Sequence, residues 1–98
     1  MYYASPKCRF CEQGAVGFRL CSDGVSIVLV CDECDGTWVG PEDLSVDKIQ
    51  FPKDPGFTVM PLGCSISKGQ GARWATLDEI RKANLENFVA GQGTSLSE

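Results

Sequence analysis

Four cysteines carry the clearest chemistry in this chain: Cys8-Arg9-Phe10-Cys11 and Cys31-Asp32-Glu33-Cys34. The two Cys-x-x-Cys pairs are separated by the 19 residues 12–30, a spacing inside the range of four-cysteine zinc sites. A thiolate is a soft ligand, and zinc takes four of them at the corners of a tetrahedron. Two residues between paired cysteines let the backbone turn back, so that both sulfurs face one ion. The expectation is one structural Zn2+ held by Cys8, Cys11, Cys31 and Cys34. Four thiolates leave no open position for water, which excludes the catalytic kind of zinc site. The chain has no histidine, so the commonest general base is missing. Its carboxylates gather in no catalytic arrangement, and a non-enzymatic protein is expected.

The second pair carries a local acidic run, Asp32, Glu33 and Asp35, with Trp38 four residues after Cys34. Metal would fix the backbone of these acids, and rigid placement lowers the ordering cost of binding. Trp is enriched at binding hot spots. Asp32, Glu33, Asp35 and Trp38 are therefore candidates for contact with a protein partner that presents a basic surface; the alternatives are an ordinary solvated surface for the acids and a packing anchor for Trp38, as for Trp74. The alternative is nucleic-acid binding through Lys7, Arg9, Arg19, Lys68 and Arg73. Net charge of −4, made two units more negative by a zinc tetrathiolate, opposes non-specific phosphate binding. Cys21 and Cys64 are left over. They read as small buried apolar residues, with a redox pair or a swapped metal ligand as the functional alternative. Gly69-Gln70-Gly71 lacks the rest of a phosphate-loop pattern and reads as loop.

These residues need elements to position them. Ala15 to Cys21 alternates Val16, Phe18 and Leu20 against Gly17 and Arg19, as a strand does. Ser22-Asp23-Gly24 signals a turn, and the β-branched run Val25 to Val30 returns Cys31 to the first pair. A hairpin between the pairs is what the ligand geometry requires. Gln13-Gly14 loosens the chain after the first pair, Thr37-Trp38-Val39 offers a short third strand, and Gly40 to Leu44 reads as a turn or one helical turn with Pro41 at its first position. Pro52, Pro55 and Pro61 break helix and central strand alike, so residues 45–62 are expected as extended segments and turns. Gly63 to Gly71 is expected as a mobile loop. Thr76-Leu77-Asp78-Glu79 is a capping box, opening a helix from Leu77 to about Ala90 that stops at Gly91. Leu77, Ile80, Leu85, Phe88 and Val89 would form its inner face. Gln92 to Glu98 reads as a polar tail.

The whole fits a small α+β fold in one domain, 1–98: a zinc ribbon over 8–40, extended and loop segments over 41–75, a capped helix over 76–91 and the tail over 92–98. With 43% hydrophobic residues the chain is globular. It has no apolar run of about 18 residues for a membrane span, and residues 1–6 have no signal-peptide character. A cytoplasmic address follows, where paired cysteines hold metal more often than they form disulfides.

The two cysteine pairs flanking a hairpin resemble the zinc-ribbon group over residues 8–39. That resemblance implies a metal-stapled hairpin and is neutral about function, because ribbons serve transcription, translation, enzymes and interaction proteins alike. Rubredoxin-type iron sites use the same four ligands. Iron and electron transfer are the minor alternative, since Glu12 and Asp35 stand where the rubredoxin-type pair has glycine. In its size, acidity and short capped helix the chain is similar to small bacterial accessory proteins, including toxin-immunity proteins. The function this implies is a zinc-stabilised protein-interaction module.

Overall fold

The computed structural model describes residues 1–42 and 44–93. Asp43 of the 40–44 turn, and 94–98 of the expected tail, lie outside the described residues. Eight strands and one α-helix follow in order: β1 (Tyr2–Ser5), β2 (Val16–Leu20), β3 (Ile27–Cys31), β4 (Thr37–Trp38), β5 (Thr58–Val59), β6 (Cys64–Ser65), β7 (Arg73–Trp74), α1 (Leu77–Lys82) and β8 (Gly91–Gln92). The described chain is mostly β with a little helix.

The expected hairpin is the centre of the main sheet. β2 and β3 run antiparallel, with Val16 opposite Cys31 and Leu20 opposite Ile27. Asp23 closes the turn between them: its Oδ1 accepts from the N–H of Val25 and of Ser26 at 2.9 and 2.8 Å. β4, within the expected short strand at 37–39, pairs with β3. On the other edge of β2, β1 lies beside Gly17 and Val16 and β7 beside Arg19 and Leu20. β8 extends the sheet beyond β1, giving the order β4-β3-β2-β1-β8. Gln92 is thus paired with Tyr2, and the tail begins after it rather than at it.

Strand side chains point alternately to the two faces of the sheet, and both faces are covered here. Val16, Phe18, Leu20, Leu29 and Cys31 join Cys8, Trp38, Ala75 and Ile80 in one core. Val28 and Val30 join Cys21, Val59, Cys64 and Ile66 in a second. The antiparallel β5–β6 pair supplies part of the second cover. Arg19 is buried under the second cover, 7% exposed. Its Nε donates to the Ile66 carbonyl at 3.0 Å and its guanidinium lies 4.8 Å from the Trp74 ring centroid, a cation–π distance. The 63–71 segment is consequently docked and not the mobile loop expected: Cys64, Ser65 and Ile66 are buried, and Lys68–Gln70 forms an exposed 3-10 turn.

The capping box forms as read. Glu79 N–H donates to Thr76 Oγ1 at 3.2 Å, and Thr76 N–H donates to Glu79 Oε1 at 2.8 Å. Arg73, on β7, donates to the same carboxylate from Nη1 at 2.8 Å. The Arg73 guanidinium, opposed by partial burial and helped by Thr76, holds the Glu79 carboxyl at about 2. The helix itself is shorter than expected. It ends at Lys82 because Asn84 takes a left-handed φ of 61°, a conformation asparagine tolerates. Asn84 N–H then donates to Arg81 O and Leu85 N–H to Ile80 O, both at 3.0 Å, the bonding of a Schellman stop. Gly91 serves β8 instead: the Tyr3 ring lies where its Cβ would be. Ile80 is fully buried and Leu85 and Val89 pack on the core, whereas Phe88 is 38% exposed. Phe88 therefore does not belong to the inner face. Thr76→Ala is expected to cost about 0.5–2 kcal/mol, read as a lower denaturation midpoint. An unchanged midpoint would show that the box contributes nothing to the docked helix.

Candidate metal centre

Each cysteine pair sits on a tight turn with similar backbone wiring, the first turn being one residue longer. Cys8 N–H donates to Gly14 O at 2.7 Å, and Cys31 N–H donates to Gly36 O at 2.8 Å. Glu12 N–H returns to Cys8 O at 3.0 Å, and Asp35 N–H to Cys31 O at 3.2 Å. The residue after the second cysteine is left-handed in both turns, Glu12 at φ 57° and Asp35 at φ 61°. Glycine takes that conformation most readily; asparagine and aspartate tolerate it, which suits Asp35 better than Glu12. The missing glycines thus leave the turn geometry intact.

β3 delivers Cys31 directly, since it is the last residue of that strand. The four Sγ atoms of Cys8, Cys11, Cys31 and Cys34 all lie within 4.8 Å of one another. Cys8 and Cys34 sulfurs are 3.9 Å apart, and those of Cys11 and Cys31 are 3.5 Å apart. Metal–sulfur bonds of about 2.3 Å in a tetrahedron need sulfurs about 3.8 Å apart. The donor set therefore fits one tetrahedral ion of that size. Phe10 N–H donates to Cys8 Sγ at 3.4 Å and Glu33 N–H to Cys31 Sγ at 3.5 Å; at Cys31 that dipole favours the thiolate.

Burial opposes the thiolate. It pushes the Cys31 thiol up, and it takes Cys34 to about 11 against the N–H of Gly36. At Cys11 burial is outweighed by the N–H groups of Gln13 and Gly14 and by the neighbouring thiols, and the value falls to about 7. A coordinated dication overrides such preferences, because it stabilises deprotonated thiols directly. Gly14, read from sequence as a loosening point, is instead buried against this cluster. A Cβ there would stand 2.8 Å from Cys31 Sγ and closer still to the Asp32 carboxylate.

The remaining candidate residues divide. Glu33 and Asp35 are exposed on the second turn. Asp32 is half-buried, and its Oδ1 accepts from Ala15 N–H at 3.0 Å, so it ties the two turns together. Trp38 is 1% exposed, and its Nε1 donates to Ser45 O at 2.8 Å. It is a core residue and offers a partner no surface, which fits its reading as a packing anchor and not that as a contact residue. Of the five basic residues, Lys7, Arg9, Lys68 and Arg73 are exposed. Arg19 is buried and Arg73 is paired with Glu79. The set presents no common basic face from those two. A cleft of about 190 Å³ opens beside the second turn, with Asp32, Asp35, Phe57, Ile66, Lys68 and Trp74 on its walls. Phe57 was read only as part of an extended segment. Its exposure depends on the fold of residues 54–58, where Asp54 Oδ1 accepts from Thr58 N–H at 2.9 Å.

No helix among the described residues is long and apolar enough to cross a membrane. Comparison with protein families, with curated proteins and with solved structures returned no match to this chain.

Proposed function

We propose that this chain is a non-enzymatic module, stapled by one zinc ion in a zinc-ribbon-type site, that binds a protein partner through its second cysteine turn. The observation that carries the reading is the juxtaposition of a closed four-sulfur cluster with the exposed carboxylates of Glu33 and Asp35 on the same turn. A closed shell leaves the metal no substrate position, so its contribution is rigidity. A zinc tetrathiolate adds negative charge behind those acids, and a basic partner surface is the complement. Phe57, 39% exposed in the cleft beside Asp32 and Asp35, supplies the apolar contact first sought in Trp38. Burial of Arg19 and pairing of Arg73 weaken the nucleic-acid reading.

The test uses Glu33→Lys combined with Asp35→Asn. Asp32 is left in place because its bond to Ala15 N–H holds the turns together, and asparagine suits the left-handed backbone at position 35. The probes are a Lys/Arg-rich peptide, its Ser-substituted counterpart and a single-stranded oligonucleotide. The wild type is expected to bind the basic peptide in a salt-sensitive way, and the zinc-loaded variant to associate several-fold more slowly with a flatter salt dependence. Unchanged association in the variant would reject the acidic turn as the contact. Salt-sensitive binding of the oligonucleotide alone would transfer the function to nucleic acid.

A further inference from the structure

Two of the six cysteines, Cys21 and Cys64, stand outside the four-sulfur cluster. They are far apart in the chain yet share one buried apolar cluster with Val28, Val30, Val59 and Ile66. The residue after each one links the two backbones: Ser22 N–H donates to Ser65 O at 2.9 Å, and Ser65 N–H donates to Ser22 Oγ at 2.9 Å. These bonds hold the segment that carries Cys21 beside the one that carries Cys64, the neighbourhood that a disulfide requires. Neither is in a disulfide, and the Cys64 side chain is among the groups that raise the Cys21 thiol.

We propose that Cys21 and Cys64 form a second thiol site, separate from the metal centre, which closes to a disulfide by exchange with a low-molecular-weight disulfide such as oxidised glutathione. Cys64 reacts first, because it is 7% exposed against 1% for Cys21. Its thiolate attacks one sulfur of the small disulfide. A mixed disulfide forms, and one glutathione thiolate leaves and takes up the proton that Cys64 lost. Cys21 then gives up its proton and attacks Cys64 Sγ, expelling the second glutathione as its thiol. Two protein thiols are oxidised, and one small disulfide is reduced to two thiols. Burial, reinforced by the contact with Cys64, holds the Cys21 thiol high, which fits it to the second step and not to first attack. The bond would tie the end of β2 to β6 and so clamp the second cover onto the main sheet.

The experiment treats the metal-loaded full chain with oxidised glutathione, then unfolds it with a chelator present and alkylates it. Four of the six cysteines should be alkylated, the intact mass should fall by about 2 Da before alkylation, and a peptide should join Cys21 to Cys64. Metal content should be unchanged. In Cys21→Ala the reaction should stop at the first step, with glutathione retained on Cys64. Six alkylated cysteines in the treated wild type overturn the proposal, as does oxidation confined to Cys8, Cys11, Cys31 and Cys34. An unmodified Cys64 in the folded Cys21→Ala variant overturns the exchange route.

Discussion

Cys31→Ser is expected to abolish tight metal binding and to unfold at least residues 8–39. Cys31 holds two positions at once. Its sulfur belongs to the four-sulfur cluster, and its backbone pairs with Val16 at the end of the central hairpin. It is also fully buried within the first core, beside Cys8. Structural zinc in small peptides contributes apparent binding energies of about 10–16 kcal/mol at neutral pH, as large as the stability of a whole domain. Apart from Cys31, the first core is organised by nonlocal contacts from β4, α1 and the first cysteine turn, so loss of the ion loosens several elements together. Metal analysis should find no equivalent of zinc in the variant, and amide exchange across 8–39 should approach unprotected rates. A chelator should do the same to the wild type. A variant with wild-type exchange and stability would show that the cluster is four packed thiols and not a staple.

Trp38→Ala is expected to destabilise the chain by about 3–5 kcal/mol, the cost of emptying a large buried aromatic site. Trp38 is among the largest fully buried side chains, opposite Leu29 across the sheet. Its indole N–H to Ser45 O holds the 45–50 segment over the sheet edge, a contact reinforced by Thr37 and Gln50 exchanging backbone bonds at 2.8 and 2.9 Å. Trp38→Phe should cost less, because it keeps much of the volume while losing the hydrogen bond, itself worth about 0.5–1.5 kcal/mol. The check is a denaturant titration at constant zinc. If Trp38→Ala left stability unchanged and removed partner binding instead, Trp38 would be a surface anchor after all, and its place in the core would be wrong.

The difference between these residues and their sequence reading has one physical origin. Whether a tryptophan is an anchor or a core residue depends on what covers it, and the cover for Trp38 comes from Ser45 and from α1 through Ile80. Arg19 is the same case. A charged residue in an alternating strand reads as solvent-facing, but segment 64–74 folds over it and supplies carbonyls and an indole. Strands of two residues, such as β7 and β8, are too short to show a period. Asn84 outranked Gly91 as the helix stop because the Schellman bonds place Leu85 beside Ile80, which a single polar residue does not announce.

By itself the sequence determined the features whose cause is local. Two Cys-x-x-Cys spacings and the strand–turn–strand between them suffice to bring four sulfurs within 4.8 Å, because the hairpin returns the second pair beside the first. A capping box closes within one helical turn and was legible for the same reason. Tertiary structure alone decided the rest. The first residues pair with the ninety-first and ninety-second, the second face of the sheet acquires a cover, and Cys21 meets Cys64. These are contacts between residues distant in the chain, held by backbone pairing or by apolar burial, and neither leaves a spacing to read.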